Sequence, residues 1–259
     1  MHYAQALNEA LREEMQRDDS VFVFGEDIGR YGGVFKVTKD LQAEFGPSRV
    51  RDTPISEPAL TAMAVSAAMA GTRPVLEIMF ADFMPLTLDA LINQASVFTY
   101  LWEGQVEIPM VLRTQGGGGT GTGAQHAKCL DALLTHIPGI KVLAPVTPAD
   151  AKGLLKAAIR DPQPVIVLEH KLLYNARGEV PDGDIVVPIG QARTVVAGDD
   201  VSIFATSRMV LEAERAAKAG WPGHRGISAE VIDLRSLRPL DLAPSRARSP
   251  DPSRGGGQR

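Results

Sequence analysis

The chain has 259 residues, enough for one large domain or two modest ones around a sizeable core. A hydrophobic content of 44%, a charged content of 22% and a net charge of −4 fit a globular protein and offer no electrostatic case for nucleic acid or an acidic membrane surface. A single cysteine, Cys129, excludes an intrachain disulfide and a cysteine-based metal cage, and no run of about 18 apolar residues marks a membrane span. The opening MHYAQALNEALREEM is acidic and amphipathic rather than a signal peptide, so a cytoplasmic protein is expected.

Helical and strand-like segments alternate along the chain. Residues 3–16 read as a helix and 21–24 as a short apolar strand leading into Gly25-Glu26-Asp27. Residues 74–80 read as a strand, 82–100 as one long helix, and 109–113 as a strand that ends in a glycine-rich loop. Residues 140–146 predict a strand. Thr147 then caps a helix with Pro148 in its first turn, running to about residue 160. Residues 164–168 are apolar and β-branched, the mark of a buried strand. Strands apolar on both faces and separated by helices predict an α/β fold with a largely parallel sheet covered on both sides. Residues 174–183 are rich in turn formers and read as a linker. A second unit follows, with strands at 189–196, 201–205 and 227–234 and a helix over 207–219. The expected domains are residues 1–178 and 185–243. The tail at 244–259, SRARSPDPSRGGGQR with its preceding proline, is basic, aperiodic and expected to be disordered.

The most informative segment is 51–71, RDTPISEPALTAMAVSAAMAG. Ser56 is a natural helix cap, with Pro58 inside the first turn. The small, uncharged residues that follow predict a buried helix that other backbones approach closely. Glu57 therefore sits where an apolar helix meets a loop. A carboxylate there is either kept from ionising by its surroundings or gripped by a specific partner, unless it simply faces water at the positive end of the helix.

TPISE with its small-residue helix resembles the β subunit of the thiamine-diphosphate-dependent 2-oxoacid dehydrogenases, the family of the pyruvate, branched-chain 2-oxoacid and acetoin enzymes. GEDIGRYGGVFKVTKDL at 25–41, EIMFADF at 77–83, GAQHAKC at 123–129 and KGLLKAAIRDPQPVIVLEHKLLY at 152–174 match the family in the same order. The resemblance runs from about residue 1 to about residue 243. It implies a pyrimidine-type thiamine-diphosphate-binding domain, followed by a transketolase C-terminal-like domain. The segment here is shorter than the family's second domain, and its abrupt change of composition near residue 244 suggests a truncated or frameshifted reading frame.

The resemblance also implies roles. Glu57 would hold the aminopyrimidine ring of the cofactor and exchange a proton with its ring nitrogen, and Phe83 would lie against that ring. Otherwise Phe83 is an ordinary core residue. His126 would stand at the mouth of the site and assist acyl transfer to lipoamide; without the resemblance it is a helix-start histidine in water. Glu26 would join cofactor binding, and Glu26 and Asp89 would belong to a proton relay between cofactor sites, unless both are surface carboxylates. Met110, Ala158, Ile159, Asp161 and Gln163 would ligate potassium, mostly through main-chain oxygens. His2, His136, His170 and His224 show no metal-ligand spacing. The glycine run 116–123 lacks the ending of a phosphate-binding P-loop. The family's magnesium-diphosphate motif, Gly-Asp-Gly followed by a distant Asn, does not occur in this chain. The cofactor diphosphate and its magnesium would then be held by an α subunit, in a heterotetramer of two α and two β subunits serving a lipoyl acyltransferase core. Which 2-oxoacid is decarboxylated, or whether acetoin is the substrate, is not legible. The competing readings are a catalytically incompetent fragment that acts at most as an interaction module, and a self-sufficient transketolase-like enzyme.

Overall fold

The computed structural model describes residues 1–219 and 226–243. In chain order the elements are α1 (Tyr3–Arg17), β1 (Val21–Gly25), α2 (Leu41–Phe45), β2 (Val50–Asp52), α3 (Glu57–Met69) and β3 (Arg73–Ile78). After a broken helical segment come β4 (Val111–Gly116), a short helix Asp131–Thr135, β5 (Lys141–Leu143), a helix Pro148–Arg160 and β6 (Val165–His170). Strands β7 (Arg193–Val196) and β8 (Val201–Ala205), the helix Met209–Ala219, and strands β9 (Ala229–Asp233) and β10 (Ser236–Arg238) complete the described chain.

The main sheet has the order β10-β5-β6-β4-β3-β1-β2 and is parallel throughout except for β10. Strands β3, β4 and β6 are buried along nearly their whole length, as continuous apolar runs in a covered parallel sheet must be. One face packs on α1 and Pro148–Arg160, with Leu7, Leu11, Leu154 and Leu155 in its core. The other packs on α3 and the segment after β3, with Leu60, Val65, Met84 and Leu91. The Thr147 hydroxyl accepts the Asp150 N–H, so that predicted cap forms.

Three expectations need correction. Ser56 occupies the cap position of α3, but its hydroxyl makes no capping bond. Cap oxygens take the N–H of the second or third helical residue, and the second here is Pro58, which has none. The predicted single helix over 82–100 is instead a 3-10 turn (Ala81–Thr87), one α-turn, a π-turn (Leu91–Ala95) and a last α-turn (Phe98–Leu101). Pro85 removes a helical donor at the start of the segment. Near its end the Ser96 carbonyl lies so close to Gly139 that a Cβ there would come within 2.2 Å of it. Thirdly, Ser236–Arg238 is a strand that the sequence reading left unassigned. It follows β9 and pairs antiparallel with β5 of the main sheet.

The small sheet, of order β7-β9-β8, is thinly covered; Val146, Ala205 and Val210 form its buried cluster. Residues of the predicted linker are tied to the N-terminus: Tyr3 N–H donates to Ala176 O at 2.9 Å, and Gly178 N–H to Met1 O at 3.1 Å. Among the described residues no helix is long and apolar enough to cross a membrane. The expected disordered tail at 244–259 and His224 lie outside the described residues.

Candidate active site

In a parallel sheet all strands end at one edge, and ligands bind beyond the carboxyl ends where strand order reverses. Here β1 is followed by β2 on one side and by β3 on the other, so the reversal lies at β1 and β3. Glu26 follows β1, Thr53 to Glu57 follow β2, Phe80 to Phe83 follow β3, the glycine loop and His126 follow β4, and Lys171 follows β6. The topology therefore collects Glu26, Glu57, Phe83 and His126 at one sheet edge.

Glu57 opens α3 and is only 6% exposed, which removes the solvated alternative. Its carboxylate makes no hydrogen bond or ion pair among the described residues, and its oxygens are not among the atoms sealed from solvent. The Thr53 hydroxyl, four residues earlier, is also buried without a partner, while Thr53 N–H is fixed to Gly25 O at 3.1 Å. Glu26 is buried close by. Burial first, then the charges of Glu57 and Asp27, push its carboxyl above the usual range. Glu26 therefore keeps its proton to a higher pH than an ordinary glutamate. Glycine is required at position 25, because a Cβ there would lie 2.6 Å from Glu77 O.

His126 is half-buried on a loop and not at a helix start, contrary to the alternative reading; the next helix begins at Asp131. Its ring meets Phe80 edge-on at 4.8 Å between centroids and Phe83 at 5.8 Å. Phe83 is thus part of the site wall, on a turn packed against α3. Gly117 has a positive φ, and a Cβ on it would strike the His170 ring at 2.3 Å, so the loop leaves β4 by a path open only to glycine.

Sequence reasoning missed the residues that hold this arrangement. Buried Asp82 accepts the N–H groups of Ala127 and Lys128, each at 3.2 Å, and pairs with the Lys128 ammonium at 3.6 Å. Phe80 bridges inward, edge-on to Phe35, which stacks on Tyr174 at 4.2 Å. Below lies Arg113, wholly buried and bonded to Glu77 and to both oxygens of Glu169. The signal was present in EIMFADF and VLEHKLLY: charges inside apolar strand runs, where a partner is compulsory.

The other expected residues lie elsewhere. Asp89 is exposed and accepts from Asn93 at 2.7 Å, without a bond to Glu26 or Glu57. Met110 and residues 158–163 precede β4 and β6 and so sit at the opposite edge of the sheet. Arg73 Nη1 donates to Ile159 O at 2.8 Å and to Asp161 O at 3.3 Å, Asp161 N–H donates to Ala158 O, and Val165 N–H donates to Met110 O. The Asp161 carboxylate pairs with Lys141, and the Gln163 side-chain oxygen accepts from Thr99. Each of these oxygens already has a donor, so a potassium ion would have to use second lone pairs. Among the described residues no group of three His, Cys, Asp or Glu side chains converges on a metal position.

Comparison with known proteins bears on this geometry. The profile of the transketolase pyrimidine-binding domain matches residues 1–177, and that of the transketolase C-terminal domain matches residues 190–249. The chain is 48% identical over 247 residues to the mitochondrial pyruvate dehydrogenase E1 component subunit beta-2 of Oryza sativa subsp. japonica, covering 94% of this chain and 65% of that protein. It is 47% identical to the beta subunit of acetoin:2,6-dichlorophenolindophenol oxidoreductase of Cupriavidus necator (92% of this chain, 72% of that one). It is 44% identical to the 2-oxoisovalerate dehydrogenase subunit beta of Bacillus subtilis (93% and 73%). The chain thus spans about two thirds of the length of the curated relatives it matches. Among solved structures, a split-gene transketolase described as an inactive beta4 tetramer superposes with a TM-score of 0.74 at 25% identity, over 93% of this chain and 73% of that one. The transketolase of Leishmania mexicana superposes equally well at 20% identity, over 95% of this chain and 36% of that one, and shows the fold alone. The chain belongs to the transketolase-like family of β subunits of the pyruvate, acetoin and branched-chain 2-oxoacid dehydrogenases.

Proposed function

We propose that this chain is the β subunit of a 2-oxoacid dehydrogenase decarboxylating component, an oxidoreductase subunit that works together with an α subunit. The observation that carries the reading is the buried Glu57 carboxylate. It has no partner among the described residues and stands close to buried Glu26, at the same sheet edge as Phe80, Phe83 and His126. A mostly buried carboxylate with no partner among the described residues, and the sealed, unpartnered Thr53 hydroxyl, fit an incoming heteroaromatic group that carries its own N–H donors. The aminopyrimidine of thiamine diphosphate is such a group. When bound, that cofactor supplies the carbanion-stabilising centre for decarboxylation.

The chain's own residues then have distinct tasks. Glu57 would hold the aminopyrimidine ring and serve as the acid–base group that exchanges a proton with it. Glu26, disfavoured as an anion by burial and by the Glu57 charge, itself stays protonated to a higher pH than an ordinary glutamate. Phe83 offers an aromatic wall to the ring and excludes water. His126 donates at the mouth of the site during acyl transfer to lipoamide. Asp89, exposed, would complete a proton relay only across a subunit boundary. The diphosphate and its magnesium fall to the α subunit, because the Gly-Asp-Gly motif does not occur here. Ile55, two residues before Glu57, is 78% exposed, and Met63 of α3 is exposed as well, which suits a surface that another subunit covers. Potassium bound at Met110, Ala158, Ile159, Asp161 and Gln163 would share its oxygens with Arg73 and act on stability rather than on chemistry. The acyl acceptor belongs to a lipoyl acyltransferase core, and the substrate is a 2-oxoacid, pyruvate or its branched-chain analogues.

The test is reconstitution with the α subunit and thiamine diphosphate, assayed across pyruvate, branched-chain 2-oxoacids and acetoin. Glu57→Gln should cost on the order of 10²–10⁴ in rate while leaving the fold unchanged by circular dichroism. A reconstituted mutant that decarboxylates at the wild-type rate sinks the assignment. The chain alone, with magnesium present, should not bind the cofactor tightly by calorimetry.

A further inference from the structure

Four cationic side chains are buried among the described residues: Arg113, Lys152, Lys156 and Lys171. Arg113 pairs with Glu77 and Glu169, Lys152 with Glu9 and Glu13, and Lys156 with Glu13 and Asp184. Lys171, 5% exposed, pairs with no carboxylate among the described residues. Its ammonium donates instead to the main-chain oxygen of His126 and to Thr122 Oγ1, and it lies 5.6 Å from the centroid of Phe80. Thr122 Oγ1 itself donates to the same His126 oxygen at 2.9 Å.

A buried ammonium facing only neutral acceptors is costly, and an apolar side chain of similar volume would fill the space more cheaply. What the lysine holds is therefore informative. The loop between β4 and His126 contains four glycines at positive φ, Gly117, Gly119, Gly121 and Gly123, and has no secondary structure to stiffen it. Asp82 fixes the chain just after His126, through the N–H groups of Ala127 and Lys128. Lys171 fixes His126 itself, along with Thr122 at the start of the turn. Phe80 lies beneath the lysine and against the imidazole at once. We propose that Lys171 is the positioning residue for His126: it clamps residues 122–126 to the end of β6 and so holds the imidazole against Phe80 and Phe83. Its catalytic consequence rests on the role given above to His126; the clamp itself does not.

The two parts separate in experiment. In the full chain, hydrogen exchange followed by mass spectrometry should show residues 116–128 exchanging about tenfold faster in Lys171→Met, with β4 and β6 unchanged and Lys171→Arg near wild type. In the reconstituted complex, Lys171→Met should lower acyl transfer to lipoamide by on the order of tenfold to a hundredfold. Decarboxylation with an artificial electron acceptor should keep its KM. Lys171→Met should also add little to the loss already caused by His126→Ala, because both act through one group. Unchanged exchange at 116–128 would overturn the clamp, and losses that multiply in the double mutant would overturn its action through His126. Loss of protection throughout the chain in both Lys171→Met and Lys171→Gln would make Lys171 a core element and likewise overturn the proposal. If wild-type complexes show no activity with any 2-oxoacid, the functional reading fails while the exchange data still decide the clamp.

Discussion

The two sheets each bury a cluster of charges, and the clusters are built differently. In the main sheet all three donor nitrogens of Arg113 are used, two on Glu169 at 2.7 and 2.8 Å and one on Glu77 at 2.8 Å. Gln115 Nε2 donates to the other Glu77 oxygen at 2.9 Å and the Tyr174 hydroxyl to Glu169 Oε2 at 2.5 Å, so every charged atom of the cluster is met, although Gln115 Oε1 has no partner among the described residues. Beside the small sheet, Asp150 from the main domain and Asp233 from β9 face Arg193 and Arg235. There Arg193 Nε, Arg235 Nε and Asp233 Oδ2 have no hydrogen-bond partner among the described residues. Burying charge succeeds when every donor and acceptor is met, and a half-met cluster stays sensitive to protonation. The saturated cluster supports the wall behind His126. The unsaturated one joins the sheets and is the place where solution conditions should act first.

The largest test breaks the saturated cluster. Arg113→Met leaves two carboxylates buried without their counter-ion, and burial already lifts Glu77 above the usual range despite Arg113. A loss of about 3–5 kcal/mol in urea-unfolding stability is expected. Adding Glu77→Gln and Glu169→Gln should recover much of it; a fully stable single mutant would mean that the cluster carries no such burden.

The second test uses pH on the unsaturated cluster. Burial first, and then Asp150, raise Asp233 from 3.8 to about 6. A raised carboxylate favours the fold only while protonated. Stability should therefore fall as pH rises from about 3.8 to about 6, with no further loss above that from this group. The full effect is at most about 3 kcal/mol at 1.36 kcal/mol per unit. Asp233→Asn should accordingly raise Tm at pH 7 and leave it nearly unchanged at pH 4. An equal rise at both values would show that the cluster does not titrate.

A smaller effect sharpens the same contrast. Thr147→Ala removes the cap of the helix that delivers Asp150 to the second cluster, and should cost about 1 kcal/mol. Native-state hydrogen exchange should show β7 and β8, the edges of the small sheet, opening before β4 and β6; simultaneous opening would make the two sheets one cooperative unit. The smallest expected effect is potassium. Exchanging potassium in the buffer for a bulky monovalent cation should lower Tm by no more than a few degrees, because Arg73 already holds the oxygens of Ile159 and Asp161.

Much of this protein was legible in its sequence because local rules sufficed. Strands apolar on both faces at 164–168 declared a covered parallel sheet, Thr147-Pro148 declared a helix start, and a lone acid ahead of ALTAMAVSAAMAG marked Glu57 as unusual. The resemblance to a family supplied roles that no periodicity could. Where local signals misled, the competing force was tertiary. Residues 82–100 have helical composition, yet Pro85 and the close passage of Gly139 wind them through 3-10, α and π turns. Ser236–Arg238 is too short to signal a strand, and it becomes one because β5 presents an open edge.

By itself the sequence determined which side chains could act: a carboxylate on an apolar helix, a histidine after a run of glycines, an aromatic in FADF. Only the tertiary structure decided which of them meet. Strand order places Glu26, Glu57, Phe83 and His126 at the carboxyl edge and the Met110–Gln163 group at the other, because parallel strands send all their ends one way. The bonds of Lys171 to His126 and of Asp82 to Ala127 and Lys128 emerged for the same reason. A hydrogen bond between residues 45 positions apart leaves no trace in composition or spacing, and exists only once the fold has brought its partners together.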